Sequence, residues 1–278
     1  MRVIEVYSVS KNLRGPITFG HREIKTTVNS FTPGEWARIV DLKSKNEYVG
    51  FVNPKATRVP IVNLVDKWDN FYSEEFSDKI LIFNYIEKKI RMAFQKRRDL
   101  NYSFDARLFF GGEDGLPGLI IDGHVNCVLI QINSAGLDIF REEIRQLVNS
   151  IVKNKICYLY DDEKQRSLEE LPDWGSDLKG LEFVEILENG FRRKIPYSKI
   201  QKSGHYYDHR ENRKKLEQFI KNYKKSFGRG LDLFSYIGSW GFHLLRAGVK
   251  DVVFVDQGDF KDVINDDAII NRIQNEYS

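Results

Sequence analysis

Gly230-Leu231-Asp232-Leu233-Phe234-Ser235-Tyr236-Ile237-Gly238-Ser239-Trp240-Gly241 leads into Phe242 to Ala247, and then into Val252-Val253-Phe254-Val255-Asp256. The order is strand, glycine-containing turn, helix, strand, acid. A short apolar strand that enters a small-residue loop and then a helix is the βα unit of a parallel sheet, and ligands lie in the crevice beyond its strand ends. Small residues let the backbone approach such a ligand. A carboxylate at the end of the next strand accepts hydrogen bonds from both ribose hydroxyls of a nucleoside. Asp256 is therefore expected to hold a ribose, with the amides around Tyr236 to Ser239 facing the cofactor.

The dinucleotide pattern G-x-G-x-x-G is absent, since only Gly238 and Gly241 stand in the loop. Asp232, Phe234, Ser235 and Tyr236 suit S-adenosylmethionine (SAM) better than a pyrophosphate. The chain runs only 22 residues beyond Asp256. A doubly wound domain does not fit in that length, so the expectation is either a fragment or a vestigial site.

A length of 278 residues predicts about two domains. The charged share is 30%, yet the net charge is only +3, so any nucleic-acid contact must come from local clusters. Cys127 and Cys157 lie in apolar runs and are expected to be buried thiols in a reducing cytoplasm. No apolar run reaches the length of a membrane span, and the N-terminus lacks the apolar core of a signal peptide.

The first 72 residues read as short strands with turns, Val3 to Tyr7, Trp36 to Val40, Glu47 to Val52 and Pro60 to Val65, which predicts a small β-barrel. A helix is predicted from Ser73, its capping residue, to Lys96, with Ile80, Phe83, Ile86, Ile90 and Phe94 as the buried stripe. Its end is basic, with Lys88, Lys89, Arg97 and Arg98. Strands Arg107 to Phe110, Leu119 to Asp122, Val125 to Ile132 and Ile156 to Tyr160, with a helix from Leu137 to Lys153, form an α+β unit. Asp161 to Gly180 reads as a loop. Asn189-Gly190 between two strand-like runs signals a hairpin, because a type I′ turn needs positive φ at both positions. His209 to Lys224 is predicted helical.

Gln201 to Arg213 gathers cations, aromatics, histidines and amides just before the cofactor loop. It reads either as a nucleic-acid or SAM-contacting segment or as a solvated loop and charged helix start. Its two histidines lack the spacing of a metal site. Glu113 and Asp114, in a Gly/Pro-rich turn, are expected to be structural.

Taken in order, Glu113-Asp-Gly-Leu-Pro-Gly-Leu-Ile-Ile-Asp122, Gln131-x-x-Ser134-Ala-Gly136, Glu188-Asn-Gly190, Gln201-Lys-Ser-Gly204, Asp208-His-Arg210-Glu-Asn-Arg213 and Asp232-Leu-Phe-Ser-Tyr-Ile-Gly238 resemble a known family. It is that of the SAM-dependent RNA methyltransferases with an N-terminal PUA-like domain, of the large-subunit rRNA cytosine-C5 type. The resemblance implies a PUA-like β-barrel over 1–72, a central α+β domain over 73–198, and the start of a Rossmann-like α/β methyltransferase domain over 199–278. It places Asp232, Phe234, Ser235, Tyr236, Gly238 and Asp256 at SAM, with Lys202, Gly204, Tyr206 and Arg210 closing over it or meeting RNA.

Lys88, Lys89, Arg97, Arg98, Arg192, Arg193 and Arg213 are the expected RNA contacts. Ser203 and His209 depart from the family's usual threonine and glutamine. The family's Asp-Pro-Pro motif and later nucleophilic cysteine are absent from the sequence. Cytosine-C5 transfer needs a thiolate, so this chain is expected to be poorly active, with the catalytic residues unassigned. The partner implied is ribosomal RNA. A non-catalytic RNA-binding protein is the alternative, and an incomplete sheet edge would favour a homodimer.

Overall fold

The computed structural model describes residues 1–9, 17–56, 61–72, 77–201, 203–223 and 226–273. The predicted cap at Ser73, with Pro60, Lys202 and Lys224, lies outside the described residues. The chain divides into two compact units. One comprises Met1–Gly123 and Cys127–Lys179; the other comprises His124–Asn126 and the chain from Gly180.

In the first unit, β1 (Arg2–Val6), β2 (Ile17–Phe19), β3 (Glu35–Asp41), β4 (Glu47–Val52) and β5 (Val62–Lys67) form a five-stranded sheet in the order β1-β3-β4-β5-β2. β1 runs parallel to β3 and the other pairs are antiparallel. β2 pairs only with β5 and β1 only with β3, so among the described residues no ladder closes the predicted barrel. A short helix α1 (Trp68–Phe71) follows, then the long α2 (Asp78–Asp99).

The predicted stripe of α2 is partly displaced. Leu81, Ile82, Tyr85, Ile86, Ile90, Ala93 and Phe94 are buried, while Ile80 is 51% exposed. At about 100° per residue, Ile80 lies roughly 120° round the helix from Ile86, outside the line that runs through Ile82, Ile86, Ile90 and Phe94. That line joins Trp36, Val49 and Phe51 of the first sheet to the second sheet in one apolar cluster. Residues on both sides of position 72 share this core and belong to one compact unit.

The second sheet takes β6 (Ala106–Phe110), β7 (Leu119–Gly123), β8 (Cys127–Ile132) and β9 (Ile156–Leu159) in chain order, with only β8 and β9 parallel. The Gly-rich turn after β6 contains α3 (Gly111–Asp114), whose Asp114 carboxylate accepts two hydrogen bonds from Arg97 at 2.6 and 2.7 Å. The predicted single helix is broken into α4 (Ala135–Asp138) and α5 (Arg141–Val152). The expected loop after β9 holds α6 (Glu163–Leu168), anchored by the buried Arg166 on Asp138. Burial pushes the thiols up, Cys127 to about 12 and Cys157 to about 11, which keeps both protonated near neutral pH.

The second unit opens with the hairpin β10 (Phe183–Glu188) and β11 (Phe191–Pro196). Asn189 and Gly190 turn it at φ 51° and 86°. After α7 (Arg210–Asn222) come β12 (Arg229–Leu233), α8 (Ser239–Arg246), β13 (Asp251–Val255) and α9 (Lys261–Ile270). β12 and β13 are parallel, with Asp232 opposite Phe254. The hairpin belongs to this unit. Its Arg192 and Lys194 amides donate to Asn271 and Asp267, beyond and within α9, and Phe191 packs on Phe242 of α8. No helix among the described residues is long and apolar enough to cross a membrane.

Candidate cofactor site

Beyond β12 the chain takes left-handed backbone steps at Phe234, Tyr236 and Gly238, with φ of 56°, 50° and 75°. Aromatic residues rarely adopt that region, so the conformation must be held by its surroundings. Four hydrogen bonds hold it. Ser235 N–H donates to the Val255 carbonyl at 3.0 Å and Gly238 N–H to the Ser235 carbonyl at 2.7 Å. Tyr236 N–H donates to Asp256 Oδ2 at 2.8 Å, and the Arg193 guanidinium donates to the Ile237 carbonyl at 2.7 Å. Asp256 Oδ1 also accepts from Gly258 N–H at 2.8 Å, so this one carboxylate ties together the loops after β12 and β13.

The glycines of the motif serve packing as well as turning. A Cβ at Gly241 would lie 2.1 Å from the Phe254 ring, and one at Gly238 2.7 Å from it. Phe254 can face the loop only because both side chains are missing.

Two cavities meet at Ser235, Tyr236 and Asp256. The smaller, about 280 Å³, continues along Phe254, Phe260, Lys261, Ile264 and Asn265. The larger, about 740 Å³, is walled by Gln201, Tyr206, His209, Phe234 and Trp240. Asp256 uses one acceptor direction of each oxygen on the loops, and a carboxylate has about four such directions. Two therefore remain for donors in the cavities. A carboxylate between an aromatic slot and a wider chamber, beside backbone at a helix start, fits a nucleoside that carries a polar tail.

The expected site residues are only partly gathered there. Phe234, Ser235, Tyr236, Tyr206 and Asp256 line the cavities, and Phe234 is 91% exposed. Gly238 shapes the loop from below. Asp232 is placed apart from them: it is buried, lines neither cavity, and accepts from Gly241 N–H at 2.8 Å. Burial raises its pKa, with the Gly241 hydrogen bond opposing.

Gly204 supplies a carbonyl to the Tyr236 hydroxyl at 3.2 Å but lies outside both cavity walls. Arg210 is buried over the Tyr207 ring, 3.7 Å from Glu188, and also lies outside both walls. Lys202 lies outside the described residues.

Two of the expected RNA contacts are buried. Arg213 is 1% exposed and pairs with both oxygens of Glu188 at 2.6 and 2.7 Å. Arg193 is 2% exposed, lies over Phe242 and faces Asp267 at 3.8 Å. Arg193 lines neither cavity, whereas Arg213 contributes to the wall of the larger one. Lys89 pairs with Asp66 at 3.0 Å and Arg97 with Asp114. Lys88, Arg98 and Arg192 are exposed, Arg192 with Glu185 at 2.9 Å.

Glu188 explains why Glu-Asn-Gly stands at the hairpin turn. Its carboxylate also meets His205 Nε2 at 2.6 Å, which fastens the 203–213 segment to β10. Burial alone would raise the Glu188 pKa; the His205 and Arg213 hydrogen bonds outweigh it and hold the group well below the carboxylate range. Asn189 donates to the Arg210 carbonyl at 3.1 Å and meets His243 Nε2 at 3.2 Å. The sequence gives no sign of these roles, since the partners lie far apart along the chain. The aromatic wall of the smaller cavity had a legible signal: Phe260, Val263, Ile264 and Ala268 recur at helical spacing.

His243 Nδ1–H donates to the Ser239 carbonyl at 2.9 Å, at the start of α8. Burial lowers its pKa from 6.5 to about 4. A base with a lowered folded pKa contributes its full stability above pH 6.5 and loses it as pH falls towards 4. Relative to His243→Gln, the protein is expected to lose about 3 kcal/mol over that window in urea titrations. An imidazole NMR titration centred near the free-histidine value would contradict this.

A solved chain of Streptococcus mutans, provisionally assigned as a SAM-dependent methyltransferase, superposes with a TM-score of 0.70 at 14% identity, covering 100% of this chain and 70% of that one. By sequence, the chain is 35% identical over 153 residues to ribosomal RNA large subunit methyltransferase I of Aeromonas salmonicida, covering 54% of this chain and 37% of that protein. It is 29% identical over 228 residues to a provisionally assigned ribosomal RNA large subunit methyltransferase of Methanocaldococcus jannaschii, covering 80% of this chain and 53% of that protein. The chain thus spans about half the length of these relatives or less. No protein-family model matches it.

Proposed function

We propose that this chain binds SAM at the Ser235–Asp256 crevice and that its activity is methylation of a base in structured RNA, ribosomal RNA by the names of its relatives. The observation that carries the reading is the Asp256 carboxylate. It fixes the strained loop through Tyr236 N–H and Gly258 N–H and still borders both cavities. SAM supplies an electrophilic methyl group on its sulfonium sulfur. The chain's part is to hold it: Asp256 takes the ribose hydroxyls, and Phe254 and Phe260 offer apolar faces to the base. The larger cavity leaves room for the charged tail beside Ser239 at the start of α8. The basic residues Lys88, Arg98 and Arg192 would meet phosphates, the N-terminal sheet would act as the PUA-like RNA-binding module, and the compartment would be the cytoplasm.

The test is photocrosslinking with methyl-tritiated SAM. Labelling that saturates and is displaced by S-adenosylhomocysteine, but not by NAD or ATP, is the expected result. Displacement by NAD or ATP in place of S-adenosylhomocysteine would overturn the reading.

A further inference from the structure

Helix α7 buries three charged residues, with Leu216 and Ile220 half-buried, and leaves a ring exposed. Its buried residues are Arg210, Arg213 and Glu217, held by the charge network beneath the cofactor loop. Its aromatic residue faces outward: Phe219 is 59% exposed, and Tyr223, one turn on, is 48% exposed. Phe227, 36% exposed, continues the row. The Phe219 and Tyr223 ring centres are 5.7 Å apart, and those of Tyr223 and Phe227 are 5.2 Å apart. A row of three neighbouring exposed rings is not what burial of apolar surface produces, since monomeric surfaces rarely keep such patches without use.

Exposed lysines stand near both ends of the row, Lys215 one turn before Phe219 and Lys214 further round the helix. At the other end Lys250, also exposed, donates its backbone N–H to the Phe227 carbonyl at 3.4 Å. Acids beside the row are neutralised: Glu217 pairs with Lys221 and Arg246 at 2.6 Å each, and Asp251 with Arg229 at 2.8 Å. None of the three rings lines the cofactor cavities.

We propose that Phe219, Tyr223 and Phe227, with Lys214, Lys215 and Lys250, form a platform for single-stranded RNA. The inference rests on the RNA-acting reading above and adds a second contact surface to it. Bases of any kind stack on aromatic faces, while ammonium groups follow the phosphates. A row of rings bounded by ammonium groups matches a strand in which bases and phosphates alternate. A purely apolar protein partner would have no use for the lysines.

The experiment uses the full chain and a fluorescein-labelled 12-nucleotide single-stranded RNA of mixed sequence, read by anisotropy at several salt concentrations. The variant Phe219→Ala/Tyr223→Ala/Phe227→Ala is expected to bind at least about tenfold more weakly with little change in salt slope. Lys214→Gln/Lys215→Gln/Lys250→Gln should flatten the slope by about 0.7 for each phosphate contact removed. Both variants should keep SAM crosslinking, which separates failure of the platform from failure of the cofactor reading. Should the triple ring variant unfold, the single exposed change Phe219→Ala carries the test, with a several-fold loss expected. Unchanged RNA affinity in the ring variants overturns the proposal. So does loss of a concentration-dependent dimer with RNA affinity retained.

Discussion

Arg193→Met is expected to destabilise the C-terminal unit by about 3–5 kcal/mol and to remove measurable SAM binding, although Arg193 touches neither cavity. Two losses combine. Asp267, fully buried and already pushed up to about 6 by burial, would lose the guanidinium that opposes that rise, leaving a buried carboxyl that must bear an unpaired charge or take up a proton. The Ile237 carbonyl would lose its guanidinium donor in a loop that holds left-handed residues on both sides. Such strained positions persist only while the surroundings over-determine them, at about 1–3 kcal/mol each.

The double variant Arg193→Met/Asp267→Asn separates the two losses. Asparagine removes the stranded charge and keeps the acceptor for Lys194 N–H, which Asp267 Oδ1 now serves at 3.0 Å. Most of the stability should return in urea titrations, while SAM affinity should stay at least about tenfold down, because the loop remains unheld. Recovery of SAM affinity along with stability would show that Arg193 serves the fold alone.

Asp256→Asn is expected to weaken SAM binding by about 10²–10³-fold, nearly as much as Asp256→Ala. Asparagine is usually the mild replacement for aspartate, but not at this position. The two carboxylate oxygens accept from the backbone N–H groups of Tyr236 and Gly258. An amide has one oxygen, so its NH2 group must face one of those donors whichever way it turns. The substitution therefore breaks a loop anchor as well as a ribose contact. Retention of SAM affinity within a few-fold in Asp256→Asn would mean that Asp256 neither holds the loop nor reaches the ligand.

The strand-loop-helix-strand unit was legible because its evidence is local. Apolar runs of strand length, Gly238, and an acid at the end of the second strand are all read directly along the chain, and β12, α8 and β13 lie where they were expected. The Asn189-Gly190 hairpin is legible for the same reason. What escaped the sequence depends on partners distant in the chain. Arg193 and Arg213 look like surface cations by composition, and only Asp267, Glu188 and the Ile237 carbonyl turn them into buried supports of the loop. Asp232 looked like a ligand contact because it stands in the motif, yet its carboxylate faces inward to Gly241. In α7 three charged residues are buried while Phe219 is outside, although Leu216 and Ile220 are half-buried and the other charged residues are exposed. Hydrophobic spacing does not reveal charges that a buried ion network draws inward.

The most direct measurement is a calorimetric titration of the full chain with SAM. Saturable binding near one-to-one, lost on Asp256→Ala while the thermal melt of that variant remains cooperative, is the predicted result. No heat of binding to the folded wild-type chain would contradict the assignment of the Ser235–Asp256 crevice as a SAM site.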